Sequence, residues 1–185
     1  MEYDMSELTA LLDRNRSFVE KFEAGDLLIR PRMSTFILTC IDSRVDPAHL
    51  FELGLGDAIV IRNGGGWITP AVLRDLAILG VLADNLPGSG APKPELVVIH
   101  HTDCGMGRLA IPAIQQQLAE RLGVSNDEVA AMAITDPTAT VKDAIERLRN
   151  TPRTPDQLVV SGLVYDVANG TITEVVAPAP LRATI

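Results

Sequence analysis

The chain has 185 residues, of which 46% are hydrophobic and 22% are charged, a composition typical of folded globular proteins rather than disordered ones. Asp and Glu number 24 against 16 Lys and Arg, so the formal net charge is −8, and no run of basic residues interrupts it. Because an acidic chain repels nucleic-acid phosphates and anionic lipids, we expect neither nucleic acid nor a membrane as a partner.

The N-terminal segment predicts a helical arm. Apolar residues recur at helical spacing from Ser6, a candidate N-cap, to Ala24, and Gly25 follows.

Acidic residues near the start and the lack of an unbroken apolar stretch do not match a signal peptide. No apolar run approaches the roughly 18 residues of a membrane-spanning helix. We therefore expect a cytoplasmic protein whose arm covers residues 1 to about 30.

Beyond the arm, short apolar segments alternate with helical ones. Strands are predicted over Thr35–Cys40, Ala58–Ile61, Leu96–Ile99, Leu158–Val167 and Thr171–Val176. Helices are predicted over Pro70–Asn85, Arg108–Leu122 and Pro137–Asn150, with Thr69 and Asp136 as N-caps. The Pro- and Gly-rich segment Pro87–Pro94 is predicted to be a surface loop. Asn169-Gly170 predicts a type I′ hairpin between the last two strands.

This alternation predicts an α/β fold. Its mainly parallel sheet is flanked by helices and buried on both faces, and the last hairpin forms an antiparallel edge. We expect one domain across residues 1–185, with a core over about 34–176. Because ligands of such sheets bind at the carboxyl ends of the strands, residues that follow the strands are candidates for the site.

The two cysteines and two of the three histidines stand at such strand ends. Zinc takes thiolate and imidazole ligands in a tetrahedron, and a catalytic zinc keeps one position open. Cys40, Cys104 and one histidine would form that set. Neighbouring residues of a strand point to opposite sides, so we select His101 and assign His100 to the core or to the surroundings of the ligands. Two buried thiols without a metal are the alternative.

Asp42 and Arg44 follow Cys40 at alternate positions and would face the same side of an extended segment. The simplest interpretation is an ordinary ion pair. In the functional interpretation, the planar guanidinium of Arg44 holds the Asp42 carboxylate away from the metal, as an acceptor for zinc-bound water.

Two glycine-rich segments allow alternative interpretations. Gly64-Gly65-Gly66 has no Lys-Ser/Thr after it, which excludes a Walker phosphate loop, so it predicts a flexible turn or a close-approach wall beside the metal. The segment Gly105–Ala110 matches G-x-G-x-x-A, which leaves dinucleotide binding as an alternative. The four residues His101–Cys104 separate it from the predicted strand, a looser arrangement than that fingerprint usually has.

Together, Cys40-Ile-Asp-Ser-Arg44, Arg62-Asn-Gly-Gly65 and His101-Thr-Asp-Cys104-Gly105 resemble the motifs of the β-class carbonic anhydrases, over residues 34 to about 176. The resemblance implies reversible hydration of carbon dioxide to bicarbonate by attack of zinc-bound hydroxide. It implies one Zn²⁺ per chain, and a homodimer or a dimer of dimers.

By the same resemblance, the zinc ligands are Cys40, His101 and Cys104, and the catalytic dyad is Asp42 with Arg44. In some family members the matching aspartate takes the fourth zinc position in a closed, inactive state. Asp42 is therefore also a conditional metal ligand.

His100 stands where the best-known members have glycine, and the His-His-Thr-Asp-Cys-Gly-Met run resembles a short bacterial branch that includes carbonyl sulfide hydrolase. Hydrolysis of carbonyl sulfide is therefore the alternative reaction, and a non-catalytic zinc-binding module is a further one. Gly105 is predicted to hold a substrate oxygen through its backbone N–H. Gly64 and Gly65 are the other predicted substrate contacts, and His49 is predicted to be a solvated surface residue.

Overall fold

The computed structural model describes residues 6–85, 94–152, 154 and 158–182. The helices are α1 Ser6–Val19, α2 Pro47–Leu50, α3 Pro70–Asn85, α4 Pro112–Leu122, α5 Asn126–Ala130 and α6 Pro137–Arg149, with a 3₁₀ segment over Gly105–Ala110. The strands are β1 Thr35–Cys40, β2 Ala58–Asn63, β3 Glu95–His101, β4 Val159–Tyr165 and β5 Ile172–Pro180. The predicted loop at 87–94 lies outside the described residues except for Pro94, and so does the side chain of Ser6, the predicted N-cap.

The five strands form one sheet in the order β2-β1-β3-β4-β5. The first four are parallel and β5 pairs antiparallel with β4, which confirms the predicted α/β fold and its antiparallel edge. β2 pairs with one edge of β1 and β3 pairs with the other, so the strand order reverses direction at β1. The carboxyl ends of β1 and β3 therefore flank the switch point at which sheets of this order bind ligands.

The core lies between the sheet and the helices that cover it. It is built from buried apolar side chains of β1, β3, β4 and α6, among them Phe36, Leu38, Leu96, Val98, Val141, Ala144, Ile145, Leu148 and Val160. All six residues of β1 are buried, as expected for a strand covered on both faces. Fully burying one such aliphatic side chain contributes about 1.5–3 kcal/mol. The sheet thus holds the ends of β1 and β3 in fixed positions.

Local signals account for the predicted helix starts. The Asp136 side chain accepts a hydrogen bond from the Ala139 N–H at 3.0 Å, and Pro137 opens α6. Thr69 Oγ1 accepts one from the Val72 N–H at 3.3 Å before α3.

Two short helices were not predicted, although both have N-cap residues. Asp46 caps α2, which begins at Pro47. A capping box of Ser125 and Glu128 precedes α5. Both helices are too short to show the repeated apolar spacing from which a helix is predicted.

The bounds of two predicted helices were wrong. Helix α1 ends at Val19 instead of Ala24, because Lys21 and Phe22 donate to carbonyls three residues back and tighten the last turn. The helix predicted from Arg108 is interrupted before Pro112, since the residue preceding a proline avoids the helical region.

The predicted type I′ turn at Asn169-Gly170 was also wrong. That turn needs a positive φ at both residues, and of the two only Gly170 has one, at 80°. The Asp166 carboxylate accepts hydrogen bonds from the Ala168 N–H and the Asn169 amide, which builds a longer loop closed between Asp166 and Thr171.

None of the helices in the described ranges combines the length and the apolar character needed to cross a membrane.

The tight contact between β4 and α6 gives a first prediction. A Cβ atom at Gly162 would overlap Val141 Cγ1 and lie 3.0 Å from Ile145 Cδ1. Gly162→Ala is therefore expected to lower the free energy of unfolding by about 1–3 kcal/mol through overpacking. The control is Gly80→Ala in α3, where a Cβ meets nothing within 4 Å and alanine is expected to stabilise the helix. Urea denaturation measures both, and equal stability of the Gly162→Ala and parent proteins would contradict the packing argument.

Candidate metal centre

Strand ends bring the three predicted ligands together. Cys40 is the last residue of β1, His101 is the last of β3, and Cys104 follows three residues later. Their ligand atoms all lie within 4.8 Å of one another, and the two sulfur atoms are 3.9 Å apart. Two sulfur atoms and one imidazole nitrogen at this spacing form a set that can hold a metal ion.

The buried ring of His101 presents one nitrogen to this cluster. Its Nδ1–H donates a hydrogen bond to the Thr102 carbonyl at 2.9 Å, so the lone pair of the neutral ring is on Nε2. Nε2 is buried and has no hydrogen-bond partner among the described residues. An unpartnered buried acceptor beside two thiols fits a borderline-soft ion such as Zn²⁺.

The surroundings of Cys40 favour its thiolate. The hydrogen bond with the Cys104 thiol holds the pKa of Cys40 well below its usual range, and the backbone N–H groups of Asp42 and Gly65, each 3.4 Å from Cys40 Sγ, act in the same direction. The same contact raises the pKa of Cys104. Cys40 therefore loses its proton first, and the thiolate is the form that ligates metals.

Arg44 holds the Asp42 carboxylate on both oxygens. Oδ1 accepts from the Arg44 backbone N–H at 2.9 Å and from Nε at 3.0 Å, and Oδ2 accepts from Nη2 at 2.8 Å. These hydrogen bonds lower the pKa of Asp42 to about 2, so it is ionised at neutral pH. The expected extended segment is instead a turn, because the Asp42 side chain accepts from the backbone two residues on. The predicted ion pair is confirmed.

The Asp42 carboxylate also lies close to His101, the histidine predicted to bind the metal. Asp42 Oδ2 is 4.0 Å from His101 Nε2 while it remains hydrogen-bonded to Arg44. The carboxylate is thus beside the Cys40–His101–Cys104 cluster but held by the guanidinium.

Two residues of the sequence motifs, Asp103 and Arg62, had no predicted role. Asp103, whose φ is 50°, accepts from Arg44 Nη1 through Oδ2 at 2.8 Å and from Nη2 through its carbonyl at 2.9 Å. Arg62 donates through Nε to the Cys40 carbonyl at 3.1 Å and through Nη2 to that of Asp42 at 2.8 Å. Both hold the Cys40–Arg44 segment in place. Two features of the sequence could have indicated these roles. Asp103 is a carboxylate next to the predicted ligand Cys104, and Arg62 lies near the end of β2, the strand next to β1.

The glycine triplet lies beside Cys40. Gly65 and Gly66 have φ of 89° and 73°, and a Cβ at Gly66 would lie 3.1 to 3.2 Å from the backbone of Thr39 and Cys40. Gly64 is near Met106, where a Cβ would lie 3.6 Å from Sδ. The triplet is thus a turn whose backbone approaches that of Cys40 closely, and its place beside a metal stays a prediction.

His100 lies in the core, as the alternation of strand side chains predicted. Its side chain is fully buried, Nε2–H donates to the Gly66 carbonyl at 3.2 Å, and its ring meets Trp67 edge to face. Burial lowers its pKa to about 4, so the ring is neutral at pH 7.

A cavity of about 530 Å³ opens over the cluster. It is lined by Asp42, Arg44, His101, Asp103, Cys104, Gly105, Gly107, Arg108, Ile111, Ile134, Thr135 and Pro137. Gly105 is among these lining residues, whereas Gly64 and Gly65, the other predicted substrate contacts, are not. Close packing explains why position 107 is a glycine, since a Cβ there would lie 2.9 Å from the Ile134 carbonyl oxygen. His49 is exposed beside Asp46, as predicted.

Comparison with known proteins identifies the same family in three ways. The family model described as carbonic anhydrase matches residues 35–172. β-Carbonic anhydrase 1 of Mycobacterium tuberculosis is 29% identical over 164 residues, which cover 89% of this chain and 94% of that protein. A carbon disulfide hydrolase of Acidithiobacillus thiooxidans is 29% identical over 155 residues, 73% of each chain. The crystal structure of a carbonic anhydrase from Streptococcus mutans superposes with a TM-score of 0.76 at 34% identity, covering 92% of this chain and 98% of that one.

Proposed function

The chain belongs to the β-carbonic anhydrase family of enzymes, and we propose that it hydrates carbon dioxide reversibly to bicarbonate with one Zn²⁺ ion per chain. The observation that carries this proposal is the meeting of Cys40, Cys104 and the unpartnered Nε2 of His101 beside a carboxylate that Arg44 holds. Such a site joins a metal-binding set with a positioned acceptor inside an open cavity.

Cys40, His101 and Cys104 would hold the ion as its protein ligands, and water would complete its coordination. When bound, zinc supplies a Lewis acid that makes water nucleophilic near neutral pH. The Asp42 carboxylate accepts a hydrogen bond from the attacking water and directs the oxygen lone pair at the carbon of CO₂. Arg44 keeps that carboxylate ionised and oriented, and the Gly105 N–H stabilises the substrate oxygen on which charge develops.

The test is stopped-flow CO₂ hydration at mildly alkaline pH, on protein whose zinc content has been measured. Fast hydration that depends on zinc supports the proposal. One zinc ion per chain with negligible hydration contradicts it and points to another substrate, or to Asp42 in the closed position. Bound zinc without turnover of any of the gases tested points to a non-catalytic zinc-binding module.

The second candidate is hydrolysis of a C=S bond, and the carbon disulfide hydrolases among the relatives support it. Carbonyl sulfide and carbon disulfide are linear, with an electrophilic carbon like that of CO₂. The same hydroxide attack would release H₂S. Assays of H₂S release from both compounds, run beside CO₂ hydration on one preparation, separate the two reactions.

We also propose a homodimer, alone or paired into a dimer of dimers. Residues 7–20 are exposed throughout, although this part of the arm carries many apolar side chains. The large apolar side chains exposed on the arm and on α3 are Leu8, Leu11, Leu12, Phe18, Val19, Phe22, Leu27, Leu28, Ile29, Ile78, Val81 and Leu82. Apolar surface of this kind marks protein interfaces. Analytical ultracentrifugation tests this state, and a single monomeric species would contradict it. The cytoplasmic location stays a prediction.

Activity is expected to rise with pH between about 6 and about 9, the range in which metal-activated water loses its proton. Hydrogen bonding from Arg44 lowers the pKa of Asp42 to about 2, so this carboxylate keeps its charge throughout that range. The rise in rate therefore reports the loss of a proton from the water and not a change in the charge of Asp42. The CO₂ hydration rate across this range measures it, and Asp42→Asn should show the same rise at a lower level. A flat profile would count against hydroxide attack.

A further inference from the structure

Thr102 connects the metal-binding histidine to the loop between β4 and β5. Its carbonyl accepts the hydrogen bond from His101 Nδ1–H at 2.9 Å. Its backbone N–H donates to the Tyr165 carbonyl at 2.9 Å. Its hydroxyl donates to Asp166 Oδ1 and accepts from the Val167 N–H, both at 3.1 Å. Three hydrogen bonds, one to the last residue of β4 and two to the loop, thus hold the residue that orients the His101 ring.

Asp166 is itself fixed by the loop. Its Oδ1 also accepts from the Ala168 N–H at 2.9 Å, and its Oδ2 accepts from the Asn169 amide at 2.8 Å. Its backbone closes the loop, since the Asp166 N–H donates to the Thr171 carbonyl and its own carbonyl accepts from the Gly170 N–H, both at 2.8 Å. The carboxylate that meets the Thr102 hydroxyl is therefore held in one orientation.

We propose that Asp166 and Thr102 are positioning residues for the metal-binding histidine. The Asp166 carboxylate fixes the Thr102 hydroxyl, and the fixed Thr102 backbone presents its carbonyl to His101 Nδ1–H. The acceptor at Nδ1 sets the tautomer that leaves Nε2 free and strengthens it as a ligand. This inference rests on the proposed metal site and adds to it Thr102 and a residue of the loop that follows β4, the strand next to β3.

The experiment compares zinc affinity among variants of the full chain, measured by competition with a chromophoric chelator. Thr102→Val has nearly the same shape but lacks the hydroxyl, and it is expected to weaken zinc binding about tenfold, as loss of a group that orients a metal ligand does. Thr102→Ser keeps the hydroxyl and should restore an affinity close to that of the parent protein. Asn169→Ala is the matched control, because it removes the loop contacts with Asp166 Oδ2 and with the Thr171 N–H. It leaves Asp166 Oδ1, the oxygen that accepts from Thr102, with its contact to the Ala168 N–H.

Thermal unfolding of the metal-free proteins separates positioning from stability. Thr102→Val and Asn169→Ala are expected to lower the melting temperature alike, while only Thr102→Val weakens zinc binding. Asp166→Ala provides a second route if Thr102→Val does not fold, with the effect of Asn169→Ala as its baseline. Parent-like zinc affinity in Thr102→Val or in Asp166→Ala would overturn the inference, and so would an equal loss in Asn169→Ala. If the parent protein binds no zinc, the proposed metal site fails instead.

Discussion

The zinc content of Cys40→Ser is expected to fall from about one ion per chain to almost none, because a neutral hydroxyl replaces a thiolate in a set of only three protein ligands. Zinc binding uses both cysteines as thiolates, so this substitution removes one of the two charged ligands that the site offers. Metal analysis after dialysis against buffer without zinc measures the result. Hydration activity should be lost together with the metal.

Cys40→Ser is also a mild change in structure, which makes the result interpretable. Serine is close to cysteine in size, and its hydroxyl can accept from the same Asp42 and Gly65 N–H groups. A matched pair of histidine variants provides the control, since His101→Gln should lose zinc while His49→Gln, at an exposed position, should keep it. One zinc ion per chain retained by Cys40→Ser would show that the metal is held elsewhere.

The sequence predicts those parts of the site that depend on two rules: successive side chains of a strand point to opposite faces, and parallel strands end at the same edge of a sheet. β1 was predicted with its observed bounds because the apolar residues Phe36–Leu38 stand between two threonines, a residue type common in strands, and the structure buries all six residues of Thr35–Cys40. Parity chose between the two adjacent histidines, and His100 does lie in the core against Gly66. Since parallel strands end at one edge of the sheet, Cys40 and His101 met there.

The parts that the sequence did not reveal depend on contacts between distant segments. Asp103 acts on Arg44 across 59 positions, and Thr102 meets Asp166 across 64. No local pattern predicts such pairs, because each depends on how the loops leave the sheet. The turn after Cys40 was missed for a related reason: the Asp42 side chain competes with extended backbone by accepting from the Arg44 N–H.

Asp42→Asn is expected to keep one zinc ion per chain while CO₂ hydration falls by roughly 10² or more, the usual effect of losing a positioned proton acceptor. The pKa of Asp42, lowered to about 2 by hydrogen bonding from Arg44, keeps the carboxylate charged at every assay pH. An asparagine is neutral, and its amide presents hydrogens where one carboxylate oxygen accepted. Stopped-flow rates normalised to zinc content measure the difference.

Asp46→Asn is the matched control for this variant. It makes the same chemical change four residues later in the chain, at the N-cap of α2, where asparagine caps as well as aspartate does. Its rate should equal that of the parent protein. A full rate in Asp42→Asn would reduce Asp42 to an ion-pair partner of Arg44. A rate above the parent value at low pH would contradict the acceptor role in another way, because it would show that the carboxylate blocks the fourth metal position in the resting enzyme.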